Sequence, residues 1–132
     1  MEDKKEIPEI IKQVGFDFHW DEKKVWKLNV PVVEMDINKL VWHFNVPFHW
    51  HDGGAYNLTS KEIIDNPEKY REEYDRVMKT DLSYPIDIME NKGRWVILDG
   101  LHRLMKAYIQ GLKKVKVRII PREKIPEILI EK

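Results

Sequence analysis

The 132-residue chain contains no cysteine. Disulfides, thiolate zinc sites, iron–sulfur clusters and cysteine nucleophiles are therefore excluded. Neither charge is in excess, because 23 Lys+Arg stand against 23 Asp+Glu, a formal net charge of +0. That balance removes any whole-chain argument for a nucleic-acid or membrane partner, although local patches can depart from the mean. No apolar run approaches the roughly 20 residues of a membrane span. The charged opening Met1-Glu-Asp-Lys-Lys-Glu6 lacks the pattern of a signal peptide, so a soluble, cytoplasmic protein is expected. What is present suffices for one hydrophobic core: 42% of the residues are apolar, in a chain of ordinary single-domain length.

Local patterns divide the chain into short elements. The charged first six residues read as frayed, and Ile7–Val14 reads as a short helix ended by Gly15. Phe16–Trp20 and Val25–Leu28 flank Asp21-Glu-Lys-Lys24, which predicts a β-hairpin. Val30–Asp36 is a strand whose Pro31 assigns it to a sheet edge or a strand start. Residues 38–58 fit no single period. There Trp42, Phe44, Phe48, Trp50 and Tyr56 are interleaved with His43, His49, His51 and Gly53-Gly54, and a loop of that length is uncommon unless it has a function.

Later signals are clearer. Thr59-Ser-Lys-Glu62 has the form of a capping box. Asn66-Pro67 predicts the start of a further helix, with Asn66 as N-cap, and Tyr70, Tyr74, Val77 and Met78 share one face of it. Asn91-Lys-Gly93, between Pro85–Glu90 and Arg94–Leu98, marks a hairpin. Leu101, Leu104, Met105 and Tyr108 form another helical stripe closed by Gly111, and Val115–Ile120 is a last strand. The tail from Pro121 to Lys132 reads as a short helix or an extended edge. The expected fold is α+β: one domain, a small mixed sheet packed with helices, and an N-terminal β-hairpin extension.

The segment richest in chemistry is Asp99-Gly100-Leu101-His102-Arg103, where a buried strand turns into a helix. The first turn of a helix carries unpaired N–H groups and partial positive charge. Gly100 has no Cβ to block a ligand's approach, and His102 and Arg103 add an imidazole and a guanidinium fork. Together these can hold phosphate oxygens. Spacing alone equally allows Asp99 to be a helix cap paired with Arg103.

Other groups carry paired readings as well. Trp42, His43, Phe44, Phe48 and Trp50 are candidate walls of a base or substrate pocket, or core aromatics over a small sheet. His43, His49, His51 and Asp52 have a spacing that can bring ligands to a metal, or they are hydrogen-bonded loop residues; no metal is assigned. Asp81 and Asp87 are candidate general bases, with cap or turn roles the commoner alternative. Between Arg103 and Lys124, eight Lys/Arg (Arg103, Lys106, Lys113, Lys114, Lys116, Arg118, Arg122, Lys124) stand against Glu123 alone. Such a run is either a solvated face or an attractor of polyanions.

The run Pro85-Ile-Asp-Ile88, hairpin, Trp95-Val-Ile-Leu-Asp-Gly-Leu-His-Arg-Leu-Met-Lys-Ala107, Gly111, Val115-Lys-Val117 resembles the ParB/sulfiredoxin-like N-terminal domain superfamily, and Val32–Leu40 resembles its opening strand. The resemblance covers residues 28–120, leaving 1–27 as an N-terminal extension and 121–132 as a tail. It implies a nucleotide ligand, a triphosphate or diphosphate used with Mg²⁺, held by phosphate contacts at Gly100, His102 and Arg103. Asp99 and His102 are the implied catalytic positions, with Asp99 as base or Mg²⁺-facing carboxylate. The chain also departs from each branch of the family. Leu101 stands where sulfiredoxin has its cysteine, and His102-Arg103 stands where partition ParB proteins have consecutive arginines. In the ParB-like free-serine kinases a glutamate follows a histidine shortly after the opening strand; the match here is His43-Phe44. Two functions are carried forward. The first is a nucleotide- or phosphate-binding domain, as a small-molecule phosphotransferase or NTPase. The second is a non-catalytic DNA-associated or regulatory module that binds phosphates through the basic 103–124 face.

Overall fold

The computed structural model describes residues 9–16 and 18–130. The expected frayed residues and the first two of the helix expected from Ile7 lie outside these. In chain order the elements are α1 (Glu9–Gln13), α2 (Glu22–Trp26), β1 (Val32–Asp36), β2 (His49–His51), β3 (Gly54–Leu58), α3 (Ser60–Asp65) and α4 (Arg71–Met78), then β4 (Ile86–Asn91), β5 (Arg94–Asp99), α5 (Leu101–Ile109), β6 (Lys114–Ile119) and α6 (Ile125–Ile128).

Four strands form one sheet in the order β1-β6-β4-β5, and β2 pairs with β3 in a separate hairpin. β4 runs parallel to β6, while the β1–β6 and β4–β5 pairs are antiparallel. The β4–β5 connection shows why the sequence hairpin is legible. Lys92 and Gly93 both have positive φ, 53° and 77°, the backbone of the two-residue turn that matches strand twist. β1 lies at the sheet edge immediately after Pro31, where a missing N–H disrupts no ladder.

Both faces of the sheet are covered. On one, Leu104, Met105 and Ala107 of α5 pack with Ile86, Ile88, Val115 and Val117. On the other, Ile11, Phe16, Val25 and Ile128 pack with Met89, Val96 and Leu98. This explains the unbroken burial of Ile86–Met89, as a strand sandwiched between two layers alternates little. The fold is thus a single α+β unit with a small mixed sheet packed between helical segments. Tyr108, expected in the α5 stripe, is half exposed and meets Phe44 edge-on at 5.2 Å between centroids.

Three local expectations are corrected. Asp21-Glu-Lys-Lys24 does not turn a hairpin; it starts a helix. The Asp21 side chain accepts the Lys23 N–H at 2.9 Å as N-cap of α2, and Glu22 ahead of Lys23 and Lys24 suits the helix dipole. Trp20 instead bridges Leu129, the Asp21 N–H donates to the Ile128 carbonyl at 2.7 Å, and Lys24 Nζ donates to the Leu129 carbonyl at 2.9 Å. Asn66 is the C-cap of α3, its side-chain amide donating to the Glu62 carbonyl at 2.9 Å, so the following helix begins at Arg71. The aromatic stretch 38–58 is not a loop. It holds 3-10 turns at Ile37–Lys39 and Val41–Asn45 and the β2–β3 hairpin, whose pairing shifts register between His49 and His51. Elements this short leave no period to detect. The Thr59–Glu62 capping box is present with both reciprocal bonds.

Candidate functional site

β5 ends at Asp99, and Gly100 turns the chain in the left-handed region (φ 116°) before α5 starts at Leu101. No side chain caps this helix, so its first N–H groups stay open to a ligand. Asp99 faces away from that role. Its Oδ2 accepts both the Trp26 indole N–H at 2.7 Å and an Arg103 guanidinium N–H at 3.1 Å. Gly100 also differs from expectation. A Cβ there would meet the Arg103 guanidinium at 3.0 Å and Ile86 at 3.2 Å. The room left by the missing side chain is therefore filled by Arg103, and the positive φ is the second reason for glycine.

Arg103 is one end of a charged row across the sheet, in which two adjacent carboxylates lie between two arginines. Asp99 on β5 is the ladder partner of Asp87 on β4, which is the partner of Arg118 on β6. Arg118 Nε donates to Asp87 Oδ1 at 2.7 Å, and its two other nitrogens donate to the Leu28 and Val25 carbonyls at 2.7 and 3.0 Å. Each nitrogen of Arg118 thereby has a partner, whereas Arg103 Nε is buried with no hydrogen-bond partner. Burial pushes the Asp87 carboxyl up against the pull of Arg118, and Asp99 adds to the push. Glu22, reaching in from α2, is also pushed up, by burial first and by Asp99 second.

Two cavities meet at this row. One, about 340 Å³, opens over the turn and is lined by Glu22, His49, Thr80, Asp99, His102 and Arg103 among others. The other, about 570 Å³, is lined by Trp26, Tyr84, Pro85, Asp87, Asp99, Arg103 and Arg118. Trp26 is 53% exposed and Tyr84 63%. Neither ring meets another ring among the described residues.

His102 stacks on His49 in the first turn of α5, with centroids 5.6 Å apart and planes 7° apart. Burial lowers both imidazoles, His49 to about 4, and Arg76 and Arg103 add to the effect on His102. His102 is thus a neutral hydrogen-bonding group at neutral pH, not a second cation. The other histidines go separate ways. His49 Nε2 lies 2.8 Å from Ser60 Oγ, and His51 Nδ1 lies 2.6 Å from Glu73 Oε2. Among the described residues, no three His, Asp or Glu side chains gather as metal ligands.

His43 is 1% exposed. Its Nε2 accepts the Ile97 N–H at 3.1 Å, so the proton sits on Nδ1 and is donated to the Leu40 carbonyl at 2.6 Å. Burial holds its pKa near 4, and the ring acts as a neutral bracket between two backbone segments. Of the aromatic residues expected to wall a pocket, Trp42 stacks on His43 beneath Arg94, and Phe44 belongs to the core. His43, Phe48 and Trp50 do line a cavity, about 700 Å³, together with Phe18, Trp20 and Tyr56.

The basic 103–124 run is dispersed. Arg103 and Arg118 turn inward to Asp99 and Asp87. Lys114 and Lys116 stand opposite Asp36 and Glu34 on β1. Lys106 donates to the Thr80 carbonyl, Arg122 bonds Asn91, and Lys124 pairs with Glu127. Asp81 accepts the Ser83 N–H at 2.9 Å, a turn role. Glu22, Trp26 and Tyr84 are site residues that sequence reasoning missed. The N-cap at Asp21 was the available signal for α2, but only tertiary packing brings α2 to the turn.

No protein family and no curated protein matches the chain. Among solved structures, the crystal structure of sulfiredoxin from Arabidopsis thaliana is similar, at 18% identity over 73% of this chain and 93% of that one, with a TM-score of 0.38. No helix among the described residues is long and apolar enough to cross a membrane.

Proposed function

We propose that the Asp99–Arg103 turn binds the phosphates of a nucleotide together with a divalent cation. The observation that carries this reading is an uncapped helix N-terminus opening into a cavity lined by Arg103 and by two carboxylates, Glu22 and Asp99. Open N–H groups and Arg103 attract phosphate oxygens. Asp99 beside them would repel phosphate on its own, and with a hard cation it fits it. Mg²⁺ is commonly held by one or two carboxylates plus substrate phosphates, and both bonds that Asp99 accepts fall on Oδ2. When bound, such an ion neutralises phosphate charge. Arg103 and the α5 N–H groups orient the phosphates, neutral His102 offers a hydrogen bond, and Glu22 accepts a proton. A carboxylate made more basic by burial is the better general base.

The base fits the Trp26–Tyr84 cavity, whose rings meet no other ring among the described residues, better than Trp42, His43 and Phe48, whose rings already pack on one another. Base stacking on an aromatic ring contributes about 1–3 kcal/mol. Phosphotransfer to a small molecule and NTP hydrolysis both need the positioning and charge neutralisation that these groups supply. The dispersal of the basic run favours this over a DNA-contacting face.

The test is a thermal-shift screen against ATP, ADP, CTP and GTP, with and without Mg²⁺. Ligand at about a hundred times its dissociation constant stabilises by about 2.7 kcal/mol. A Mg²⁺-dependent shift that is lost in Arg103→Ala is expected. No shift with any nucleotide rejects the assignment.

A further inference from the structure

The roughly 700 Å³ cavity beside α2 is not absorbed by the nucleotide reading. It shares Glu22, Ile97 and Leu101 with the cavity over the turn, so the two adjoin at Glu22. Two features distinguish it from a packing gap. Trp50 lines it while 56% exposed, touching a single ring, Tyr56, edge-on at 5.6 Å. Tyr56 itself has φ 53° inside β3, a backbone state that a bulky L residue rarely adopts and that clusters at ligand sites.

The chemistry of the walls selects the occupant. Phe18, Phe48, Trp50 and Tyr56 present apolar and aromatic surface, over which a charged ligand would lose hydration, and the charged lining residues Asp21, Glu22 and Lys23 sit together at the start of α2. Glu22 is the acceptor at the junction with the turn. A hydroxyl donates to a carboxylate without bringing a charge into the cavity. We propose that this cavity binds an uncharged, ring-bearing alcohol, with its ring against Trp50 and its hydroxyl at Glu22, as the phosphoryl acceptor. The acceptor role rests on the nucleotide reading above, while binding of the ring rests on the cavity alone. In the transfer the hydroxyl oxygen bonds to the terminal phosphorus of a nucleoside triphosphate. The bridging P–O bond breaks, the nucleoside diphosphate leaves with that electron pair, and the hydroxyl proton passes to Glu22.

The probe is 2-naphthylmethanol, titrated into the full-length protein and followed by ¹H–¹⁵N NMR. Saturable shifts centred on Trp50, Tyr56 and Leu101 are expected, with affinity falling about tenfold in Trp50→Ala through loss of ring contact. Shifts that do not saturate, that centre elsewhere, or that persist unchanged in Trp50→Ala overturn the proposal. With ATP and Mg²⁺ added, ³¹P NMR is expected to show a new phosphate monoester, which Glu22→Gln suppresses while ring binding persists. Ring binding without ester overturns the acceptor role. Failure of every nucleotide in the thermal-shift screen falls on the nucleotide reading, because the ring titration needs no nucleotide.

Discussion

Asp87 and Asp99 stand opposite each other on β4 and β5, at the point where the ladder carries a bulge. Two carboxylates so placed are tolerated because Arg118 serves one and Arg103 the other. The two sides of the Asp87–Arg118 pair are therefore unequal. Arg118→Ala leaves Asp87 buried beside Asp99 and releases the Val25 and Leu28 carbonyls, and about 3–5 kcal/mol of stability is expected to go. Asp87→Asn keeps an acceptor for Arg118 and removes the repulsion with Asp99, so its cost is expected to be lower by about 2 kcal/mol or more. Urea denaturation of both variants measures the difference, and equal costs would contradict the asymmetry.

The buried histidines make stability depend on pH. His43 and His49 both lie near 4 in the folded protein, against about 6.5 when unfolded. The unfolded chain thus binds more protons between those values, so stability is full above about pH 6.5 and falls as pH drops toward 4. At pH 5 the loss is on the order of 2 kcal/mol per histidine. Denaturation midpoints at pH 7.5 and 5 read it directly, and a flat profile over that range would mean the folded imidazoles take up protons as readily as the unfolded ones.

Gly100→Ala tests the turn. The added methyl meets Arg103 and Ile86 within 3.2 Å, on a backbone at φ 116°. Strain of about 1–3 kcal/mol is expected, along with displacement of the guanidinium from Asp99. Nucleotide affinity should fall along with stability. A variant as stable as the parent would show that the turn relaxes without Arg103.

Much of the sheet could be read in the chain. The Asn91-Lys92-Gly93 turn demands positive φ, β6 alternates Val and Ile with Lys and Arg, and the α5 stripe repeats at helical spacing. Thr59 and Glu62 announce their own cap. The failures share a cause: a signal that serves two structures. Asp21-Glu-Lys-Lys24 suits a turn or a helix start, and what decides is the anchoring of Trp20 and Asp21 to residues 128 and 129. Asn66 can cap either end of a helix. For the site, Asp99, Gly100, His102 and Arg103 were legible as neighbours in sequence. Glu22, Trp26 and Tyr84 join them only through packing between elements distant in the chain, and no local pattern carries that information.

The anchoring of α2 has a bearing on the order of synthesis. A nascent chain that has emerged through β6 already contains the sheet, the turn and α5. It still lacks Ile128 and Leu129, whose carbonyls fix Asp21 and Lys24, so Glu22 and Trp26 are not yet held at Asp99. The Glu22 and Trp26 side of the site is therefore completed by residues translated after the whole sheet, and truncation before residue 128 is expected to free α2 from Asp99 while the Asp87–Arg118 and Asp99–Arg103 pairs remain.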